Sequence, residues 1–212
     1  MPSRANQPKA KREERPTRLS AEDWVAAGFR ALVTGGASAL KVEPLSRSLG
    51  ATKGSFYWHF ADSADLRAHM IKLWRRLGEA EITGAIRARG LKGRAALAAL
   101  IERISVVPQD QFGGAAVEPA IRAWALEDLV VARAVADMDK LRVDVLREFF
   151  FQAGMSTAQA MLKAKIFYAS VVGLEMLRLT SDIDMRACLT AELDALLGVL
   201  SQGRTRRTKR ED

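Results

Sequence analysis

Apolar residues recur three and four positions apart from Ser20 to Leu200. Nowhere in that span do apolar and polar residues alternate between turn residues, as a half-buried strand requires. The chain is therefore expected to be all-α, with about nine helices. Ser20 and Asp23 resemble a capping box opening a helix whose apolar face is Trp24, Val25, Gly28, Phe29, Leu32 and Val33, and which Gly35-Gly36 ends. A short helix follows from about Val42 to Leu49, with Leu45 and Leu49 inward and Gly50 turning the chain out of it. Thr52 is placed to cap a third helix reaching about Phe60. Asp62 or Ser63 caps a fourth, whose face of Leu66, Met70, Leu73, Leu77 and Ile86 runs to about Arg89. Beyond Gly90 the expected helices are 94–106, 115–127, 128–153, 157–180 and 184–201, separated at Pro108, Gly113-Gly114, Gly154 and Ser181-Asp182. No repeat recurs at a solenoid period.

Composition narrows the classes open to such a chain. With 212 residues, 49% of them hydrophobic, it can bury a sizeable core. The net charge of +8 favours a polyanionic partner. Residues 1–19 carry six basic side chains against Glu13 and Glu14, and residues 203–212 carry five against Glu211 and Asp212, which leaves +1 for everything between. Both tails are poor in apolar residues and are expected to be disordered when free. The expected organisation is a basic arm (1–19), a first domain (20–66), a larger helical domain (67–202) and a basic tail (203–212). The single Cys188 excludes an intramolecular disulfide, points to a reducing cytoplasm and is expected to be a core thiol. The start of the chain has no apolar stretch of signal-peptide length. The longest apolar run, Ile166 to Leu174, is too short to span a bilayer, so no membrane partner is expected.

Residues 42–60 supply the parts of a DNA-binding helix-turn-helix: a helix to lie across the backbone, a tight turn at Gly50, and a second helix for the major groove. Leu45, Leu49, Phe56 and Phe60 are spaced to pack inward, leaving Thr52, Lys53, Ser55, Tyr57, Trp58 and His59 on or near the outside. Lys53 and a helix N-terminus suit phosphate, and Tyr57 offers a hydroxyl on a rigid ring. Trp58 has no acceptor, so it meets a thymine methyl or a sugar, or else packs in the core. Gly54 permits close approach either to DNA or to the neighbouring helix.

The stretch from Trp24 to Leu66, with Leu45-Ser46-Arg47-Ser48-Leu49-Gly50-Ala51-Thr52-Lys53-Gly54-Ser55-Phe56-Tyr57-Trp58-His59-Phe60 at its centre, resembles the TetR family of one-component transcriptional regulators. The resemblance covers about a fifth of the chain. It implies that Tyr57 and His59 contact phosphates, that Thr52 and Lys53 contact backbone or bases, and that Trp58 faces the groove. Where the family commonly has a Lys near the start of the fourth helix this chain has Ala64, which shifts affinity toward Arg47, Lys53 and the tails. The basic arm is a candidate for the minor groove.

The resemblance further implies a homodimer built by the last two helices, a palindromic operator in double-stranded DNA, and a small effector held among the helices between the fourth and the eighth. Phe167, Val171, Gly173 and Leu174, with Leu193 and Leu197 of the last helix, are candidate dimer contacts. Trp74, Phe112, Arg122, Trp124, Met138 and Phe149 are candidates to line the effector pocket, though such side chains are also ordinary core. The effector itself is unknown, and repression is the expected mode of control.

Val33-Thr34-Gly35-Gly36-Ala37-Ser38 superficially matches the opening of a short-chain dehydrogenase. The segment before it reads as helix rather than strand, and the third glycine is missing. His59 and His69 are the only histidines and are not at metal spacing, and no nucleophile has an evident base. No catalytic residue, metal or cofactor is therefore expected. The alternative non-enzyme class is an architectural protein that binds nucleic acid through its basic tails without choosing a sequence.

Overall fold

The computed structural model describes residues 19–88, 90–106 and 112–198, side chains 80–88 excepted. The two basic tails, with the arm that is a candidate for the minor groove, lie outside the described residues, apart from Leu19. Nine helices are found among the described residues, and no strand: α1 (Ala21–Gly35), α2 (Val42–Ser48), α3 (Lys53–Tyr57), α4 (Ser63–Ala88), α5 (Gly93–Ser105), α6 (Val117–Ala125), α7 (Leu129–Gln152), α8 (Thr157–Leu177) and α9 (Met185–Leu197). None of the described helices is long and apolar enough to cross a membrane.

Local chemistry sets these boundaries. The Ser20 hydroxyl accepts the Asp23 amide while Asp23 accepts the Ser20 amide, so the capping box closes in both directions. Gly36, at φ 67°, ends α1 as expected. Asp62 accepts the Asp65 amide at 2.8 Å and starts α4. Helix α3 is shorter than its spacing suggests and stops at Tyr57.

Two hydrophobic cores organise the chain. The first gathers Trp24, Phe29, Leu45, Phe56, Phe60 and Met70 from α1–α4 and continues into Ile121, Trp124 and Met138 of α6 and α7. It therefore crosses the boundary expected at residues 66/67. The second joins α5, α7, α8 and α9 through residues such as Leu97, Phe149, Phe150, Phe167 and Leu193. Helix α7 contributes to both, and α8 lies along it. Two expectations are corrected. Leu77 points to solvent instead of into the α4 face, and Cys188 is exposed on α9 rather than buried.

Gly93 opens α5 with φ 53°, and a Cβ there would come within 3.0 Å of the Gln152 carbonyl oxygen at the end of α7. Backbone cannot swing aside as a side-chain tip can. Gly93→Ala is expected to cost about 1–3 kcal/mol through left-handed strain and this clash. A urea-unfolding midpoint lowered at unchanged slope is the outcome to look for.

Candidate functional site

The surface built by α2 and α3 follows from where the aromatics of 56–60 can go. Phe56 and Phe60 are buried, with Phe56 edge-on to Trp24 at 5.3 Å. Fixing these two inward forces the intervening side chains outward, because neighbours in a helix are about 100° apart. Tyr57 is 56% and Trp58 77% exposed, so the core placement left open for Trp58 does not occur. Thr52 caps α3, its hydroxyl accepting the Ser55 amide at 3.2 Å. Lys53, Gly54 and Arg47 are exposed on the same side, and Ser55 is half-buried.

His59 sits differently from its neighbours. Its Nε2 donates to the Leu19 carbonyl at 2.9 Å, tying the segment after α3 to the residue preceding α1. That bond leaves Nδ1 as the only ring nitrogen for any outside partner. Glu43 of α2 was not singled out from sequence, yet it lies 3.3 Å from Lys53 and 3.7 Å from Arg47. Its spacing of four from Arg47 was the available signal; the approach of Lys53 came only with the fold.

The expected pocket residues do not converge on one space. Trp74, Trp124, Met138 and Phe149 are buried core, and Phe112 packs edge-on to Phe29. Arg122 is locked in an interior polar cluster. It reaches Asp139 at 2.6 Å, Glu118 at 3.0 Å and the Tyr168 hydroxyl at 2.7 Å. Arg142 donates to Glu118 at 2.6 Å and 3.3 Å, and Trp74 Nε1 donates to the same carboxylate at 2.8 Å. The Tyr168 hydroxyl donates to Asp139 at 2.6 Å.

Burial alone would raise the Glu118 and Asp139 pKa values, but the adjoining guanidiniums of Arg142 and Arg122 outweigh it and hold both carboxyls below their ordinary range. Burial pushes the Tyr168 hydroxyl up to about 12. Glu175 on α8 is the exception among these acids. Burial, reinforced by the negative charge of Glu118, raises it to about 7. It lines a partly open cavity of about 60 Å³ with Arg142, Leu146, Phe167, Tyr168 and Val171, closed on the α5 side by Leu100 and Ile104. Among the described residues no group of acids, histidines or cysteines is disposed to hold a metal ion.

The proposed dimer contacts divide. Phe167 and Leu193 are fully enclosed in the second core and have no surface to offer another chain. Val171, Leu174 and Leu197 are half-buried, and Gly173 is exposed with open space beside it. The apolar side chains that do reach the surface of α8 are Leu162, Ile166, Met176 and Leu177. The all-round apolar character of α8 hid which of its residues face out.

No protein-family model matches the chain, and no curated protein matches it. Solved structures do. A TetR-family transcriptional regulator from Streptomyces coelicolor superposes with a TM-score of 0.71 at 17% identity, over 86% of this chain and 91% of that one. A transcriptional regulator from Rhodococcus sp. Rha1 gives 0.67 at 20% identity, over 87% and 97%. A regulator from Saccharomonospora viridis, solved in complex with choline, gives 0.61 at 14% identity, over 86% and 96%. The chain therefore has the all-α fold of TetR-family transcriptional regulators.

The raised Glu175 sets a pH dependence of stability. A carboxyl with a folded pKa near 7 and an ordinary value of 4.5 favours the folded state fully below 4.5, and that contribution is lost as pH rises through 7. Wild-type stability is expected to fall by about 2–3 kcal/mol between pH 5 and 8 from this group. Glu175→Gln should remove that part of the slope and be the more stable protein at pH 8, as read by thermal melts across the range.

Proposed function

We propose that this chain is a ligand-responsive transcriptional regulator, a repressor acting in the cytoplasm, that binds a palindromic operator as a homodimer. Residues 20–66 would make the DNA contact and the helices from 67 onward would supply regulation and dimerisation. The observation that carries the reading is α3: two exposed aromatics beside Lys53 on a surface whose inward neighbours, Phe56 and Phe60, are fully packed. Tyr57 at 56% and Trp58 at 77% exposure together put a large aromatic surface beside Lys53. Bases and sugars with phosphates alongside suit that mixture of aromatic and cationic groups. In this reading Arg47, Thr52, Lys53, Ser55, Tyr57 and Trp58 face DNA, with Gly54 allowing close approach. His59 serves mainly to fix the start of α1 against the end of α3.

Selection of bound sequences from a random duplex pool by the full-length protein should enrich one inverted repeat. Lys53→Ala should then weaken binding to every sequence and reduce the slope of log K against log salt by about 1. Trp58→Ala should lower affinity for the enriched site about tenfold or more, the scale of one lost base contact, with stability changed by less than about 0.5 kcal/mol. A pool that returns no preferred sequence points instead to an architectural nucleic-acid binder.

The dimer rests on the outward apolar side chains of α8 and on the open space at Gly173, where a second helix can approach closely. Sedimentation of the wild type should give a dimer. Leu162→Glu with Ile166→Glu should give a folded monomer that no longer retains the full inverted repeat.

A further inference from the structure

One side of α4 presents hydrogen-bond donors with nothing to receive them. A groove of about 670 Å³ runs between residues 64–79 of α4 and the turn joining α6 to α7. Trp124, alone among the side chains expected around an effector, lines it. That residue is 3% exposed, and its indole N–H makes no hydrogen bond among the described residues. Arg67 lines the same groove without an ion pair among the described residues, and its Nε is sealed from solvent with no partner. Lys72 and Arg76, farther along, likewise have no carboxylate partner among the described residues.

The charge count favours an anion. The lining holds four cations, Arg67, Lys72, Arg75 and Arg76, against two acids, Glu79 and Asp128. Asp137 of α7 pairs with Arg75 at 3.7 Å, and counting it still leaves +1. One Asp128 oxygen already accepts the Val130 and Val131 amides, at 2.8 Å and 3.3 Å. Of the charges nearby in sequence, Asp65 accepts the Ala61 amide and faces His69, while Glu127 and Arg133 are exposed and opposite in sign. The apolar part of the lining is aliphatic: Ile71 and Val131 are buried, and Val130 stands exposed. Leu126 and Leu129, at the same turn, are the most exposed large apolar side chains among the described residues.

From this arrangement we infer that the groove between α4 and the α6–α7 turn binds an amphiphilic monoanion, a carboxylate on an aliphatic chain. Arg67 and the Trp124 N–H receive the carboxylate, and the chain lies against Ile71, Val130 and Val131. The inference deepens the regulator reading, on which it rests for its consequence, by naming the chemistry of the effector. The groove falls within the range of about 300–1,000 Å³ that small-ligand sites occupy. A carboxylate answers donors that otherwise go unpaired, and a charge-assisted hydrogen bond is stronger than a neutral one. An organic cation would meet the excess of guanidinium and ammonium groups, and a neutral chain would leave them unused. A DNA phosphate would satisfy the cations and waste the aliphatic lining. Leu66 and Met70 of α4 pack with Trp24 and Phe56 in the first core. A ligand joining the first turns of α4 to the α6–α7 turn therefore ties the α1–α3 unit to the remaining helices.

The test is calorimetric titration of the full-length, DNA-free protein at pH 7 with n-octanoate, n-octanol, n-octylammonium and acetate. Octanoate should bind saturably, one per chain, at least tenfold tighter than the alcohol or the amine, the scale of one charge-assisted hydrogen bond. Acetate, with the charge but no chain, should be at least tenfold weaker than octanoate. Arg67→Gln removes a half-buried guanidinium that has no ion pair, and Val130→Asp sets a carboxylate on the exposed first turn of α7, where a helix N-terminus favours it. Both variants are expected to fold, which thermal melts confirm before titration. Arg67→Gln should weaken octanoate at least tenfold and leave octanol within twofold, and Val130→Asp should turn the preference toward octylammonium. Trp124→Phe keeps a ring in the core and removes the donor; where it melts early, the other two variants decide. Octanol or octylammonium binding as tightly as octanoate, octanoate binding without saturation, or unchanged octanoate affinity in folded Arg67→Gln would overturn the inference. So would another occupant. Loss of salt slope in duplex binding by Arg67→Gln, with no octanoate site, assigns the groove to a DNA phosphate, and a dimer that Val130→Asp dissociates assigns it to a second copy. Because DNA is absent from the titration, its failures are separate from failure to select an operator. Octanoate binding by the rule above with no change in operator affinity supports the site and overturns ligand control through it.

Discussion

The Glu118 carboxylate is the point on which the middle of the molecule hangs. One oxygen takes Arg122 and Arg142, and the other takes the indole N–H of Trp74 and the second nitrogen of Arg142. These partners come from α6, α7 and α4, and Tyr168 brings in α8 by bridging both arginines to Asp139. Apolar packing alone would tolerate sliding of α4 over α7, because dispersion contacts have little direction. A buried carboxylate with three fixed donors does not. Moving α4 relative to α7 and α6 would take the Trp74 N–H away from the Glu118 carboxylate and leave buried polar groups unsatisfied, at a cost of about 1–3 kcal/mol. Such clusters add less to net stability than to the choice of one arrangement.

That choice matters because α4 carries at its beginning the α1–α3 unit proposed to contact DNA, and the polar cluster near its middle. Arg142 also lies over the Trp74 ring at 5.9 Å and lines the Glu175 cavity. One guanidinium thus touches the cavity, the cluster and α4. A change in the charge of Glu175 alters the field at Arg142, which lines the same cavity. In the proposed dimer on a palindrome, the two α3 surfaces need a fixed separation, so a small rotation of α4 is enough to spoil the fit.

Local signals in the sequence were read well where they are self-contained. The Ser20–Asp23 box, the Thr52 cap, the glycine breaks and the inward pair Phe56 and Phe60 each depend on residues within a few positions, and each is found. What the sequence could not reveal depends on distant partners. The six aromatic, sulfur and cationic side chains expected around an effector are the material of two cores and one ion cluster, because bulk and polarisability suit both uses equally. Glu118 and Arg142 are 24 residues apart, and no spacing rule joins them. On α8, apolar residues occupy nearly every direction, so periodicity could not say that Phe167 turns inward while Leu162 and Ile166 turn out. Cys188 failed for a related reason: a small thiol on a helix of alanines and leucines fits either side.

The surface of α2 and α3 shows how a short helix can be held in place without being rigid in itself. Helix α3 has only five residues, too few for intrinsic stability. Its geometry is imposed by Phe56 against Trp24, by the Thr52 cap, and by the His59 bond to Leu19. Lys53 is restrained by Glu43, but that pair is exposed and worth at most about 1 kcal/mol. A phosphate brings a full charge and displaces Glu43 readily, whereas a neutral surface does not. The acid therefore keeps Lys53 and Arg47 oriented in the unbound protein and reduces their attraction to polyanions at a distance. In the proposed DNA complex, contacts that depend on close fit, above all those of Trp58 and Tyr57, then carry a larger share of the choice between one duplex and another.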